Sequence, residues 1–189
     1  MTLISDEIKK DHRDLEEAYN HILNATTDDE KHRWQNQFTW ELARHSIGEE
    51  LVVYPAFEKH LSDGKAMADK DRAEHKTVKD QLEKFQNLKA KDAEFVPTIK
   101  GLWASLSEHI KEEEEHDLVK LEAALDQAHS ESMVGSFKRT KMFLPTRSHP
   151  SAPDKPPFET VAGLLAAPMD HIRDLFRKFP HEASSDIPP

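Results

Sequence analysis

The chain of 189 residues has no cysteine, which excludes disulfides, thiolate metal sites and cysteine nucleophiles. Any metal it holds must be held by nitrogen and oxygen. Only five glycines occur, and alternating aromatic or β-branched runs are few, which argues against a β-rich fold. No segment approaches the roughly 20 apolar residues of a membrane span. The N-terminal stretch MTLISDEIKKDHRD has no apolar run long enough for a signal peptide, so the expected address is the cytosol. Positive charge is scarce as well. With 26 Lys and Arg against 36 Asp and Glu the formal net charge is −10, and no basic stripe carries interleaved aromatics. Neither nucleic acid nor an anionic membrane is therefore an expected partner.

What is present is charge at helical spacing. A third of the residues are charged, which suits amphipathic helices around one core. One helical pattern runs from about Ile4 to Ala25, with Ile4, Ile8, Leu15, Tyr19 and Ile22 on one face. A second follows the capping-box spacing of Thr27 and Glu30 and continues to about His60, where Pro55 should kink it or loosen its end. A third fits Lys65 to Leu88. The fourth starts near Glu94, tolerates Pro97 in its first turn, and runs to about His129. Short connections make an all-α, up-down-up-down four-helix bundle the economical fold over residues 1–130. Residues 131–189 read as a Pro-rich C-terminal extension that packs on the bundle and contains one short helix from Val161 to Phe179. No internal repeat is obvious beyond a motif shared by helices two and four.

The second helix poses a physical problem. Leading into and through FTWELARHSIGEELVVYPAFEKHL, the inward stripe Trp34, Phe38, Leu42, His45, Glu49, Val52 and Ala56 includes a carboxylate. An ionised Glu in an apolar core costs several kcal/mol unless it is compensated, and a metal ion compensates it fully. Helix four repeats the arrangement: His45-x-x-x-Glu49 is matched by His109-x-x-x-Glu113, each pair one turn apart on one face. Helical geometry selects Glu113 as the inward member of the run EEEE at 112–115. Helices one and three each add an inward histidine, His12 and His75. A lone histidine on an apolar stripe is usually a satisfied core residue. Four stripes repeating the feature, with Glu added twice, form a set of four nitrogens and two carboxylates that suits two metal ions. His21, His32, His60, His116, His129, His149, His171 and His181 lie outside this constellation and read as surface or tail residues. Of these, His116 returns to a similar face seven residues after His109. Tyr19 and Tyr54 read first as ordinary core aromatics, and otherwise as hydrogen-bond donors near a metal.

The pattern His12, His45-x-x-x-Glu49, His75, His109-x-x-x-Glu113 resembles the hemerythrin-like, or HHE cation-binding, family over residues 1 to about 130. The tail with PTRSHP and its short helix is similar to an extension in some fungal members. The resemblance implies that His12 and His45 bind one iron, that His75 and His109 bind the other, and that Glu49 and Glu113 bridge the two. The implied cofactor is a pair of iron ions cycling between Fe2+ and Fe3+, with manganese or zinc as alternatives because geometry and supply decide selectivity as much as affinity does. Oxygen-carrying members have a fifth histidine one turn from the third-helix ligand. Here Asp71 and Lys79 occupy those positions, and either Asp71 or a water would complete the coordination. They also use HxxxxD on the last helix, where this chain has HxxxE with Glu114 at the longer spacing. These departures point away from reversible oxygen carriage. The expected function is binding or activation of dioxygen or peroxide at a non-haem di-iron site, with a small-molecule substrate meeting it at the bundle mouth. The alternative is a non-catalytic sensor or binding protein for oxygen or iron.

Overall fold

The computed structural model describes residues 2–149 and 158–180. The elements in chain order are α1 (Ile4–Asn24), α2 (Asp28–Gly48), a π turn (Glu49–Val53), α3 (Tyr54–His60), α4 (Gly64–Gln86), α5 (Phe95–Glu112), a second π turn (Glu113–Asp117), α6 (Leu118–Ala124), α7 (Gln127–Lys141) and α8 (Phe158–Asp174). The π turns join α2 to α3 and α5 to α6 without a break, so four long rods make the bundle: α1, α2–α3, α4 and α5–α6. Thr27 starts the second rod as expected: its hydroxyl accepts from the Glu30 amide at 3.2 Å. The Glu30 carboxylate returns to the amide of Thr26, one residue earlier than the usual capping box.

Two apolar clusters fix the direction of every rod. One joins Leu15 and Ile22 to Phe38 and Leu42, Leu82 and Phe85, and Phe95 and Ile99. The other joins Ile4 and Ile8 to Tyr54 and Phe57, Met67 and Ala68, and Leu118 and Leu121. Late residues of rods one and three thus meet early residues of rods two and four at one end, and the converse holds at the other. The rods alternate up and down. Between the clusters lies a layer of polar side chains, the four histidines and two glutamates singled out by spacing.

Three expectations need correction. Pro55 was expected to disturb the second helix near its own position, but the looser turn lies just upstream, at Glu49–Val53, and the rod continues through Pro55. The fourth helix stops at Ala124 rather than His129. Leu125 is extended, and the Asp126 carboxylate accepts from the His129 amide at 2.9 Å, capping a new helix. The extension therefore begins with α7, an element that spacing alone had merged with the bundle and the tail. The tail helix runs Phe158–Asp174 rather than Val161 to Phe179, with Pro168 inside it. The Pro-rich run at 150–157 and His181 lie outside the described residues. Among the described residues, no helix is long and apolar enough to cross a membrane.

Candidate metal centre

Each of His12, His45, Glu49, His75, His109 and Glu113 is at most 4% exposed. His45 Nε2 lies 3.2 Å from Glu49 Oε1, and His75 Nε2 lies 3.4 Å from Glu49 Oε2, so one carboxylate spans both halves of the layer. His12 Nε2 is 3.4 Å from Glu113 Oε2. His75 and His109 face each other with Nε2 atoms 3.1 Å apart. Two overlapping groups, His12 with His45 and Glu49, and Glu49 with His75 and His109, present ligand atoms close enough to share an ion.

Both oxygens of Glu49, both of Glu113 and Nε2 of His12 are buried with no hydrogen-bond partner. Orphaned charge of that kind is costly. Ligand atoms each about 2.1 Å from one ion stand roughly 3.0–3.4 Å apart, which is the spacing these nitrogen and oxygen atoms show. The donor set therefore fits a cation. Without one, burial and repulsion from Glu113 push Glu49 well above the usual carboxylate range. Burial pushes Glu113 the same way, but the adjacent His12 imidazole and the charge of His109 outweigh it and hold Glu113 down at about 2. The two carboxylates resist ionising together.

The histidines are oriented from behind. Nδ1 of His12 lies 2.8 Å from Glu114, of His45 3.1 Å from Asp11, of His75 3.1 Å from Glu50 and of His109 2.8 Å from Glu74. An ionised carboxylate only accepts, so each Nδ1 carries the hydrogen. On a neutral ring the lone pair is then at Nε2, aimed into the layer. Every one of these carboxylates is backed by a cation: Arg13 on Glu114, Lys141 on Asp11, Lys79 on Glu50 and Lys70 on Glu74. Such outer partners fix ring orientation and raise ligand basicity.

The residues behind the histidines reveal a repeat that the sequence reading did not find. An acid–histidine pair, Asp11-His12, precedes His45-x-x-x-Glu49-Glu50, and a second, Glu74-His75, precedes His109-x-x-x-Glu113-Glu114. In each half the first Glu points to the centre and the second holds the histidine of the other half. The acid before the lone histidine holds the next histidine in its own half. Both π turns start at the first Glu. Their wider i→i+5 bonds run from the Tyr54 amide to the Glu49 carbonyl and from the Leu118 amide to the Glu113 carbonyl. Since the second half has Val119 where the first has Pro55, proline is not required for the turn.

The halves are not identical. Tyr54 lies on the first π turn and brings its hydroxyl to 2.9 Å from His75 Nε2; at the matching position of the other half stands Leu118. Tyr19 instead stacks on Trp103 in the apolar cluster. Asp71 is buried beside Glu74 and His109, and burial pushes it up to about 8; its counterpart is Ile8. Lys79, the other position one turn from His75, pairs with Glu50. His116 is exposed, His21 stacks on Trp34 at the surface, and His149 pairs with Asp170.

The extension closes one face. Gly48 lets α7 approach: a Cβ there would sit 2.8 Å from the Phe137 ring. Phe137 packs edge-on to His45, and Ser148 donates its hydroxyl to the Lys79 carbonyl at 2.6 Å. On the opposite side a groove of about 260 Å³ between α1 and α5 has His12, Arg13, Trp103, Ser107 and Glu114 in its walls.

An antiparallel helical bundle whose core is interrupted by a layer of histidines and carboxylates defines a protein able to hold metal between its helices. Comparison with known proteins narrows the class. The Hemerythrin HHE cation binding domain matches residues 3–121, and the chain belongs to that family. It is also 58% identical over 181 residues to a Schizosaccharomyces pombe protein described as an uncharacterized hemerythrin-like protein, an overlap spanning 95% of this chain and 89% of that one. That likeness extends through the extension as well as the bundle. No solved structure matches the chain.

Proposed function

We propose that the chain holds a pair of iron ions in this layer and uses them to bind or activate dioxygen or peroxide. His12 and His45 would serve one ion, His75 and His109 the other, with Glu49 and Glu113 shared between them. The observation that carries this reading is the set of orphaned, buried oxygens of Glu49 and Glu113 within reach of imidazole nitrogens whose Nδ1 atoms are already engaged. A bound iron pair supplies two redox-active centres for exchange of electrons with a small oxygen species. The protein's own part is positional. The carboxylates behind each ring keep Nε2 aimed inward, the apolar clusters above and below exclude bulk water, and Tyr54 offers a hydroxyl proton beside His75. The groove that His12 lines is where a small reactant or substrate would approach the layer.

The test is metal analysis of the purified protein with visible and ultraviolet spectra of the ferrous form before and after air or peroxide. About two irons per chain are expected. A spectral change that decays with consumption of the oxidant favours an oxidoreductase, and a stable, reversible change favours an oxygen sensor or binding protein. His45→Ala and Glu49→Ala should abolish stoichiometric binding, whereas His32→Ala, outside the layer, should leave it intact. Manganese or zinc in place of iron would redirect the chemistry. No metal after reconstitution would overturn the reading.

A further inference from the structure

Of the four cations behind the histidines, Lys141 alone comes from the C-terminal extension. Its ammonium group sits 2.7 and 2.8 Å from the two oxygens of Asp11, across 130 residues of sequence. Both side chains are buried, at 6% and 8% exposure. One of these two oxygens, Oδ2, also lies 3.1 Å from Nδ1 of His45. Lys141 is itself fixed, since Arg44 donates to its carbonyl at 3.0 Å and its ammonium lies 5.1 Å from the centroid of the Phe137 ring.

A buried lysine on a buried carboxylate could simply tie α7 to α1. Two observations assign it more. First, α7 has a separate tie to α1, Lys138 on Glu7 at 3.0 Å, which touches no histidine. Second, Asp11 is shared between Lys141 and His45, so the position of the ammonium decides where the acceptor for Nδ1 stands. We infer that Lys141 is a positioning residue of the metal centre: through Asp11 it aims His45, so the extension clamps the ion that His12 and His45 hold. The inference rests on the metal reading above.

The experiment uses the full-length, metal-loaded chain and reads ions retained per molecule during dialysis against rising concentrations of a chelator. In Lys141→Met one of the two ions should leave at about 10–100-fold lower chelator than in the parent, while the other is held as before. Lys141→Arg, which keeps the charge on Asp11, should restore most of the retention. Lys138→Met, which breaks the other tie between α7 and α1, should behave as the parent. Circular dichroism melts of the metal-free proteins accompany each variant, and Lys141→Gln replaces Lys141→Met if the latter does not fold. Release of both ions at the parent's chelator concentration overturns the inference. So does joint early release of both ions that tracks a fall in melting temperature, because that reports loosened packing alone. A parent protein that takes up no metal overturns the underlying reading instead, and is seen before any variant is made.

Discussion

The His45 and His75 supports and the His12 and His109 supports use the same chemistry in different surroundings. Behind His45, Asp11 and Lys141 are buried, and behind His75, Glu50 is fully enclosed with Lys79 mostly so. Behind His12 and His109, the pairs Glu114–Arg13 and Glu74–Lys70 reach solvent. Each proposed ion therefore has one support sealed by the extension side of the bundle and one open to water. Where water is present it can replace a lost carboxylate as acceptor for Nδ1–H. Where it is excluded, the protein must supply the whole chain of charges itself, and removing one link leaves the others uncompensated.

The sharpest way to break this comparison is to cut one support of each kind. Glu50→Ala should lower metal affinity about 10–100-fold, and Glu114→Ala less than about tenfold, measured by chelator competition on loaded protein. Equal losses would show that burial of the support is irrelevant. Gly48→Val tests how the sealed face is seated. Its side chain would meet the Phe137 ring, and the metal-free protein should lose about 1–3 kcal/mol, which lowers the melting temperature by roughly 2–4 °C per kcal/mol. An unchanged melt would mean that α7 does not rest on α2.

The effect that should vanish at low pH concerns Glu41, which lines a tight pocket on the sealed side with Asp11, Trp40, Arg44 and Lys141. Burial, then repulsion from Asp14 and Asp11, pushes it up to about 8, against its ordinary 4.5. Between those values the folded chain keeps a proton that the unfolded chain has released, so this group's stabilising contribution falls as pH rises. Glu41→Gln removes the slope. Its gain in melting temperature should be near zero at pH 4.5 and grow steadily as the pH rises towards 8. A gain of the same size at both ends would sink the assignment.

Much of the inner layer was legible because its residues repeat at helical spacing. His12, His45, Glu49, His75, His109 and Glu113 could be placed on inward faces from periodicity alone, and the structure brings them into one layer. The face downstream of Glu49 was misjudged. Spacing put Val52 and Ala56 inward, whereas Val53, Tyr54 and Phe57 are the buried ones, because the π turn moves the inward position on by one. The same shift brings Tyr54, which reads as a plain core aromatic, to His75. The outer carboxylates left a signal that went unread, since each stands directly beside a residue already singled out: Asp11 before His12, Glu50 after Glu49, Glu74 before His75 and Glu114 after Glu113. Lys141 left none. Nothing local marks a lysine that finds its carboxylate 130 positions earlier in the chain. The end of the fourth rod was missed because Asp126 was not recognised as a helix cap.

The two π turns make the length of the chain part of the site. Each turn holds one residue more than a uniform α-helix would, placed between the second glutamate and Tyr54 in one half and Leu118 in the other. A deletion of a single residue there would let the helix regularise, and the apolar side chains beyond it would return to the bundle only by giving up the paired glutamates. In relatives of this chain, a one-residue gap just after either Glu-Glu pair should therefore coincide with loss of the second glutamate or of the histidine it supports.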